Sequence, residues 1–170
     1  DLVIQTFGHR YNSDGSNTYT QFTVTVDTKT STHIYNGTGS ANGYLLNASV
    51  APFIDLKVGN TYRFDQADAS NSGHPLLFYY DAGKTTAYST GVTTNGTPGS
   101  SGAYTQIVVS ETTPNILYYQ CSSHGYMGSR IDIDSSTNVI DTSTAFVDTT
   151  GTTINIATTN FAIAQAVALG

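Results

Sequence analysis

The stretch Tyr118-Tyr119-Gln120-Cys121-Ser122-Ser123-His124-Gly125-Tyr126-Met127-Gly128 holds the only cysteine and the only methionine of the 170-residue chain. A histidine stands between them, so the spacing is Cys-x-x-His-x-x-Met. A thiolate, an imidazole and a thioether this close on one loop are a ligand set for a single copper ion. A second imidazole from elsewhere would complete a trigonal plane of two imidazoles and one thiolate, with a weak axial Met. Ser72-Gly73-His74-Pro75 offers one, with His74 lying 47 residues before Cys121. Zinc is the other metal such residues could hold, because one cysteine and two histidines with an open position can be catalytic. Methionine is a poor zinc ligand, however, and no carboxylate sits in the motif to act as a base. A purely structural account would bury Cys121 and Met127 in the core, as free cysteine commonly is. Four ligand-type residues at matched spacing weigh against it.

These residues need strands to hold them, and the pattern supplies strands. Leu76-Leu77-Phe78-Tyr79-Tyr80 is a continuous apolar run directly after His74, as expected of a strand buried on both faces or nearly so. Ile116 to Cys121 reads as another strand, on which Leu117, Tyr119 and Cys121 share one face and turn the sulfur inward. Upstream, Phe22, Val24 and Val26 alternate with Thr23, Thr25 and Asp27 in a half-buried strand, and His33-Ile34-Tyr35 reads as a short one. Residues 36–43 read as a loop, because three glycines in eight residues hold no regular element. Residues 52–64 predict two strands around a Gly59-Asn60 turn. Residues 81–102 form a long Gly/Thr/Ser connection with short strand-like pieces. Strands follow at Ala103 to Ser110 and at Ile131-Asp132-Ile133-Asp134.

Three segments result. Residues 1–21 are an N-terminal arm with hairpin chemistry at Asn12-Ser13-Asp14-Gly15-Ser16-Asn17. Residues 22–134 are the domain that carries the ligands. Residues 135–170 contain no lysine or arginine; they predict a hairpin over 146–156 and a short helix over 161–169. An apolar tail of this kind, with only Asp141 and Asp148 charged, needs a surface to pack on, its own domain or a neighbouring subunit, which makes it the expected contact of a homo-oligomer or assembly.

Composition narrows the function classes. The chain is 38% apolar but only 11% charged, about half the usual share, with net charge −6. No basic patch exists for nucleic acid or an anionic membrane surface, and no apolar run reaches membrane-spanning length. Thr-, Ser-, Gly- and Asn-rich strands with polar turns suit secreted or particle-surface proteins. An extracellular, periplasmic or particle-surface setting is therefore expected over the cytoplasm. No Ser-His-Asp set, Cys-His nucleophile, P-loop or dinucleotide fingerprint is present, so the chain is not expected to be an enzyme. His9 and His33 fall outside any ligand spacing and read as surface or strand residues. Asp132 and Asp134 share a solvent face, a weak calcium candidate. Asn36, Asn47 and Asn95 fit the glycosylation acceptor pattern.

The order of strand, His74, long connection, strand and Cys121-x-x-His124-x-x-Met127 loop resembles the cupredoxin family over residues 22–134. Tyr119-x-Cys121 repeats that family's aromatic-x-Cys, and the short loop is similar to that of amicyanin-like members. The resemblance implies an all-β, Greek-key cupredoxin-like β-sandwich, copper as cofactor, His74, Cys121 and His124 as equatorial ligands and Met127 as the axial one. Small blue copper proteins usually have Asn after the first histidine; here the position is Pro75, which lacks a backbone N–H. The motif phrasing also resembles cupredoxin-like segments of marine bacteriophage virion proteins. Two functions are thereby implied: a copper-binding module of a surface or virion-type assembly, or a soluble carrier passing single electrons to a redox partner protein.

Overall fold

The computed structural model describes the backbone at residues 9–10, 19–135, 146–147 and 153–154, and the side chains of residues 19–135. Internal contacts divide the chain into two units, residues 1–136 and 137–170, each described by itself. In chain order the strands are β1 (His9–Arg10), β2 (Tyr19–Thr28), β3 (Asn42–Leu46), β4 (Ser49–Val50), β5 (Ile54–Lys57), β6 (Thr61–Asp65), β7 (Leu76–Tyr79), β8 (Ala87–Tyr88), β9 (Val92–Asn95), β10 (Tyr104–Val108), β11 (Ile116–Cys121), β12 (Arg130–Asp134), β13 (Phe146–Val147) and β14 (Thr153–Ile154). A single 3-10 turn, Ala69–Asn71, interrupts them among the described residues.

The first unit is two mixed sheets. One has the order β4-β3-β2-β6-β10-β9, with β1 also pairing β2, and the other has the order β5-β12-β11-β7-β8. Each contains one parallel pair, β2 with β6 and β12 with β5. Val24, Tyr44, Phe64 and Ile107 from the first sheet and Leu56, Leu76, Phe78, Leu117, Tyr119 and Ile131 from the second bury their side chains in one cluster. Phe64 meets Phe78 edge-on across the gap, ring centroids 5.3 Å apart. The fold is the all-β, two-sheet cupredoxin-like sandwich that the sequence implies. In the second unit β13 pairs antiparallel with β14, Phe146 opposite Ile154, within the hairpin read at 146–156. The helix read at 161–169 lies outside the described residues.

Local chemistry explains the strand pattern and its exceptions. The turn at Gly59 (φ 87°) joins β5 to β6 as expected, but the two strands do not pair; the turn carries the chain from one sheet to the other. Residues 42–46, partly inside the stretch read as loop, form β3, which hairpins onto β4 through Asn47 and Ala48 at φ 49° and 66°. Both central residues of that turn are left-handed, the signature of a tight two-residue hairpin. His33-Ile34-Tyr35 is not a strand. Turns run through it, from His33 N–H to the Thr30 carbonyl at 3.0 Å and from Asn36 N–H to the His33 carbonyl at 2.9 Å. The reason is the His33 ring, whose Nδ1 accepts the Tyr35 N–H at 3.0 Å and so curls the backbone. Nor is His33 a surface residue, being only 3% exposed.

Candidate metal centre

The site is built from the β7–β11 pair. These strands run antiparallel with Leu76 opposite Cys121, the last pair of the ladder. One residue further on, Ser122 N–H donates to the Pro75 carbonyl at 2.8 Å; the return bond to the Ser122 carbonyl, which the proline cannot donate, is replaced by one from Lys84 Nζ. His74 therefore lies just beyond the pair, beside the cysteine, although 47 residues separate them. Cys121 itself points inward with Leu117 and Tyr119, all with zero exposure, as the alternation requires. The chain then leaves the sheet and returns along β12. Gly128 N–H is caught by the Gln120 Oε1 at 2.9 Å, and Tyr119 N–H by the Ser129 carbonyl at 3.1 Å.

This arrangement brings His74, Cys121 and His124 together, with one ligand atom from each lying within 4.8 Å of the others. Cys121 Sγ stands 3.8 Å from His74 Nδ1 and 3.6 Å from His124 Nδ1. An ion bound by sulfur at about 2.3 Å and by nitrogen at about 2.0 Å, with angles between tetrahedral and trigonal, would set sulfur and nitrogen roughly 3.5–3.7 Å apart. The observed spacings fit a shared cation closely. The two imidazole rings are 4.6 Å apart and tilted by 46°, so they converge without stacking. Cys121 is buried, His74 half-buried and His124 exposed, which puts one member of the cluster at the surface. Met127 has zero exposure and belongs to the same core cluster as Cys121.

Electrostatics suit a neutral imidazole at His74. Burial, and secondarily the neighbouring His124, hold the His74 ring below the usual histidine range, so it stays deprotonated near neutral pH. The His74 backbone is fixed on three sides. Its N–H donates to the Asn71 carbonyl at 2.8 Å, and its carbonyl accepts Gln66 Nε2 and the Tyr44 hydroxyl, each at 2.8 Å. Gln66 Oε1 in turn accepts Leu76 N–H at 3.0 Å, and Asn71 Nδ2 donates to the Val24 carbonyl at 2.7 Å. On the far side of the loop, Lys84 Nζ donates to the Ser122 carbonyl at 2.6 Å. The asparagine that Pro75 replaces in the cupredoxin pattern is thus answered by Gln66, Asn71 and Tyr44.

The supporting roles of Gln66, Asn71, Tyr44 and Lys84 escaped the sequence reading. Gln66 and Asn71 are ordinary polar loop residues in sequence, and only their 1% and 0% exposure marks them as structural. The remaining sequence candidates are elsewhere. Asp132 is paired with Arg130 on β12. Asn47 Oδ1 accepts Thr23 N–H at 2.9 Å and Asn95 Nδ2 donates to the Gly102 carbonyl at 2.8 Å, so both side chains are engaged in local structure. His9 lies on β1.

The chain matches no protein-family model and no curated protein. Among solved structures it is similar to rusticyanin, described as a copper protein, at 12% identity and a TM-score of 0.40 over 74% of this chain and 86% of that one. Two substituted rusticyanins align at 13% identity and a TM-score of 0.38, covering 74% and 70% of this chain and 86% and 80% of theirs. Likeness this distant adds nothing to what the chain's own strands and ligand distances establish. On those grounds, residues 19–135 form a cupredoxin-like β-sandwich with a His74–Cys121–His124 cluster at the Leu76–Cys121 end of its β7–β11 pair.

Proposed function

We propose that the chain is a copper-binding domain that accepts and releases single electrons. The observation that carries this reading is the pair of Sγ–Nδ1 distances, 3.8 and 3.6 Å, from one buried sulfur to two imidazoles. His74, Cys121 as thiolate and His124 would form the equatorial plane, with the Met127 thioether as the weak axial ligand. Copper held there supplies a Cu(II)/Cu(I) couple. The residues around it keep one geometry for both charge states: Gln66, Asn71 and Tyr44 fix the His74 segment, and Cys121, itself with zero exposure, keeps its sulfur from water. Exposed His124 is the edge at which a redox partner protein would take the electron. The role is that of a carrier, not an enzyme, in an extracellular, periplasmic or virion-surface setting. The test is to add Cu(II) to metal-free protein. An intense visible thiolate-to-copper absorption, lost in Cys121→Ser, is expected; no such band with Cys121 reduced would overturn the reading.

A second reading makes the domain a module of a surface or virion-type assembly, through homo-oligomer contacts of residues 135–170. It is favoured by one observation: residues 137–170 are a separate unit and contain no lysine or arginine. Comparing the solution mass of the full chain with that of a chain ending at Asp134 decides it. A larger assembly only for the full chain is expected, and identical monomers would remove the assembly role.

A further inference from the structure

Tyr44 is fully buried in β3, on the sheet that carries none of the four ligand residues. It nevertheless touches both ligand segments. Its backbone N–H donates to the Met127 carbonyl at 2.7 Å, and its phenol donates to the His74 carbonyl at 2.8 Å. Each of those carbonyls takes a second buried donor. Gln66 Nε2 is 2.8 Å from the His74 oxygen, and His33 Nε2 is 3.1 Å from the Met127 oxygen. The His33 tautomer follows from its other contact: Tyr35 N–H donates to Nδ1, so the ring proton is on Nε2 and faces Met127. Gly43 makes room for this ring, since a Cβ there would meet its Cδ2 and Nε2 at 2.5 Å.

We infer that Tyr44 is a positioning residue of the metal centre, pinning the His74 segment and the Met127 end of the ligand loop to the opposite sheet at once. The inference rests on the copper reading. The second sheet holds the loop where it leaves, through Ser122 N–H to Pro75, and where it returns, through Gly128 N–H to Gln120. A strand from the facing sheet adds a hold on both the His74 segment and Met127, provided one residue supplies a donor to each. Tyrosine does this because its N–H reaches the nearer carbonyl and its phenol, across the ring, the farther one. Phenylalanine would fill the same space and keep the N–H contact, but would leave the His74 carbonyl with Gln66 alone.

The experiment is Tyr44→Phe in the full chain, beside Tyr62→Phe as control. The Tyr62 phenol, in the same core, accepts Lys57 N–H at 2.8 Å and Asn60 Nδ2 at 3.4 Å instead of bonding to either ligand segment. We expect Tyr44→Phe to weaken copper binding about tenfold, the size of effect that loss of an outer hydrogen-bond partner typically has on a metal site. It should also shift the visible band. In metal-free protein the His74 ring signals should broaden and the Leu76 amide should exchange faster, changes a general loss of stability would spread over the whole core. Tyr62→Phe should do neither. Equal affinity, spectrum and His74 signals in Tyr44→Phe and wild type would overturn the inference and leave the copper reading intact; so would equal losses in both variants. A wild-type protein that takes up no copper fails the copper reading itself.

Discussion

Met127 has zero exposure within the same cluster as Cys121, so its side chain fills core volume whatever its sulfur does. The two roles separate in Met127→Leu, a volume-conserving change that costs less than about 1.5 kcal/mol of stability when only packing is at stake. If the thioether is the axial ligand, its loss leaves three donors, a number that suits Cu(I) better than Cu(II). The reduction potential should then rise while the urea midpoint barely moves. A redox titration of the two proteins checks this, and an unchanged potential would make Met127 a core residue only. Its neighbour Gly128 is fixed by contact rather than chemistry. A Cβ there would land on the Tyr119 carbonyl oxygen and ring, which lie directly against it on β11. Gly128→Ala should therefore destabilise by at least the roughly 1–3 kcal/mol of an overpacked core, read from denaturant unfolding, and displace the ligand loop.

At the scale of elements, the turn after β7 shows how a polar segment supports the site. The Asp81 carboxylate accepts Thr85 Oγ1 at 2.5 Å and Thr85 N–H at 3.1 Å, and closes the turn from which Lys84 reaches the Ser122 carbonyl. The Thr85 hydroxyl, with the Thr85 and Thr86 N–H groups, holds Asp81 below the usual carboxylate range. A depressed folded-state pKa means that this contribution is present above the unfolded value of about 3.9 and disappears as pH falls through the folded one. Unfolding midpoints of wild type and Asp81→Ala should differ at neutral pH and converge in acid. A gap independent of pH would mean that the carboxylate charge plays no part. Elements of this kind were poorly legible in the sequence, whereas β7 and β11 were plain from Leu76 to Tyr80 and from Leu117 to Cys121. Alternation and apolar runs report burial along one strand. They say nothing of Gln66 or Asn71, whose partners are chosen by the fold; Asn71 donates to Val24, 47 residues away. The β3–β4 hairpin was hidden because Asn47 and Ala48 make its turn without glycine. His33 misled because Ile34 and Tyr35 beside it resemble a strand, and only the ring's bond to Tyr35 N–H makes it a turn. The candidate ligand loop was legible because Cys121, His124 and Met127 fall within seven residues, while placing His74 needed the Leu76–Cys121 register.

Over the whole domain, a cation at this site would join segments that are far apart in the chain and belong to one geometry only when both sheets have formed. In the unfolded chain the His124 and Cys121 side chains remain neighbours, but His74 is separated from them by a loop whose closure costs entropy. Copper should therefore bind the folded domain far better than the unfolded one and stabilise it by mass action. At free copper about a hundred times Kd the gain is about 2.7 kcal/mol, lessened by whatever the Cys121-x-x-His124 pair holds in the unfolded state. For a domain of this size that is a rise in Tm of order 10 °C. Thermal unfolding of metal-free and copper-loaded protein measures it. His74→Ala should abolish most of the shift although it leaves the whole Cys121–Met127 loop in place, because the gain comes from the distant ligand. If His74→Ala kept the full shift, the metal would be held by the loop alone, and the convergence of His74 on Cys121 across the β7–β11 pair would have no part in binding.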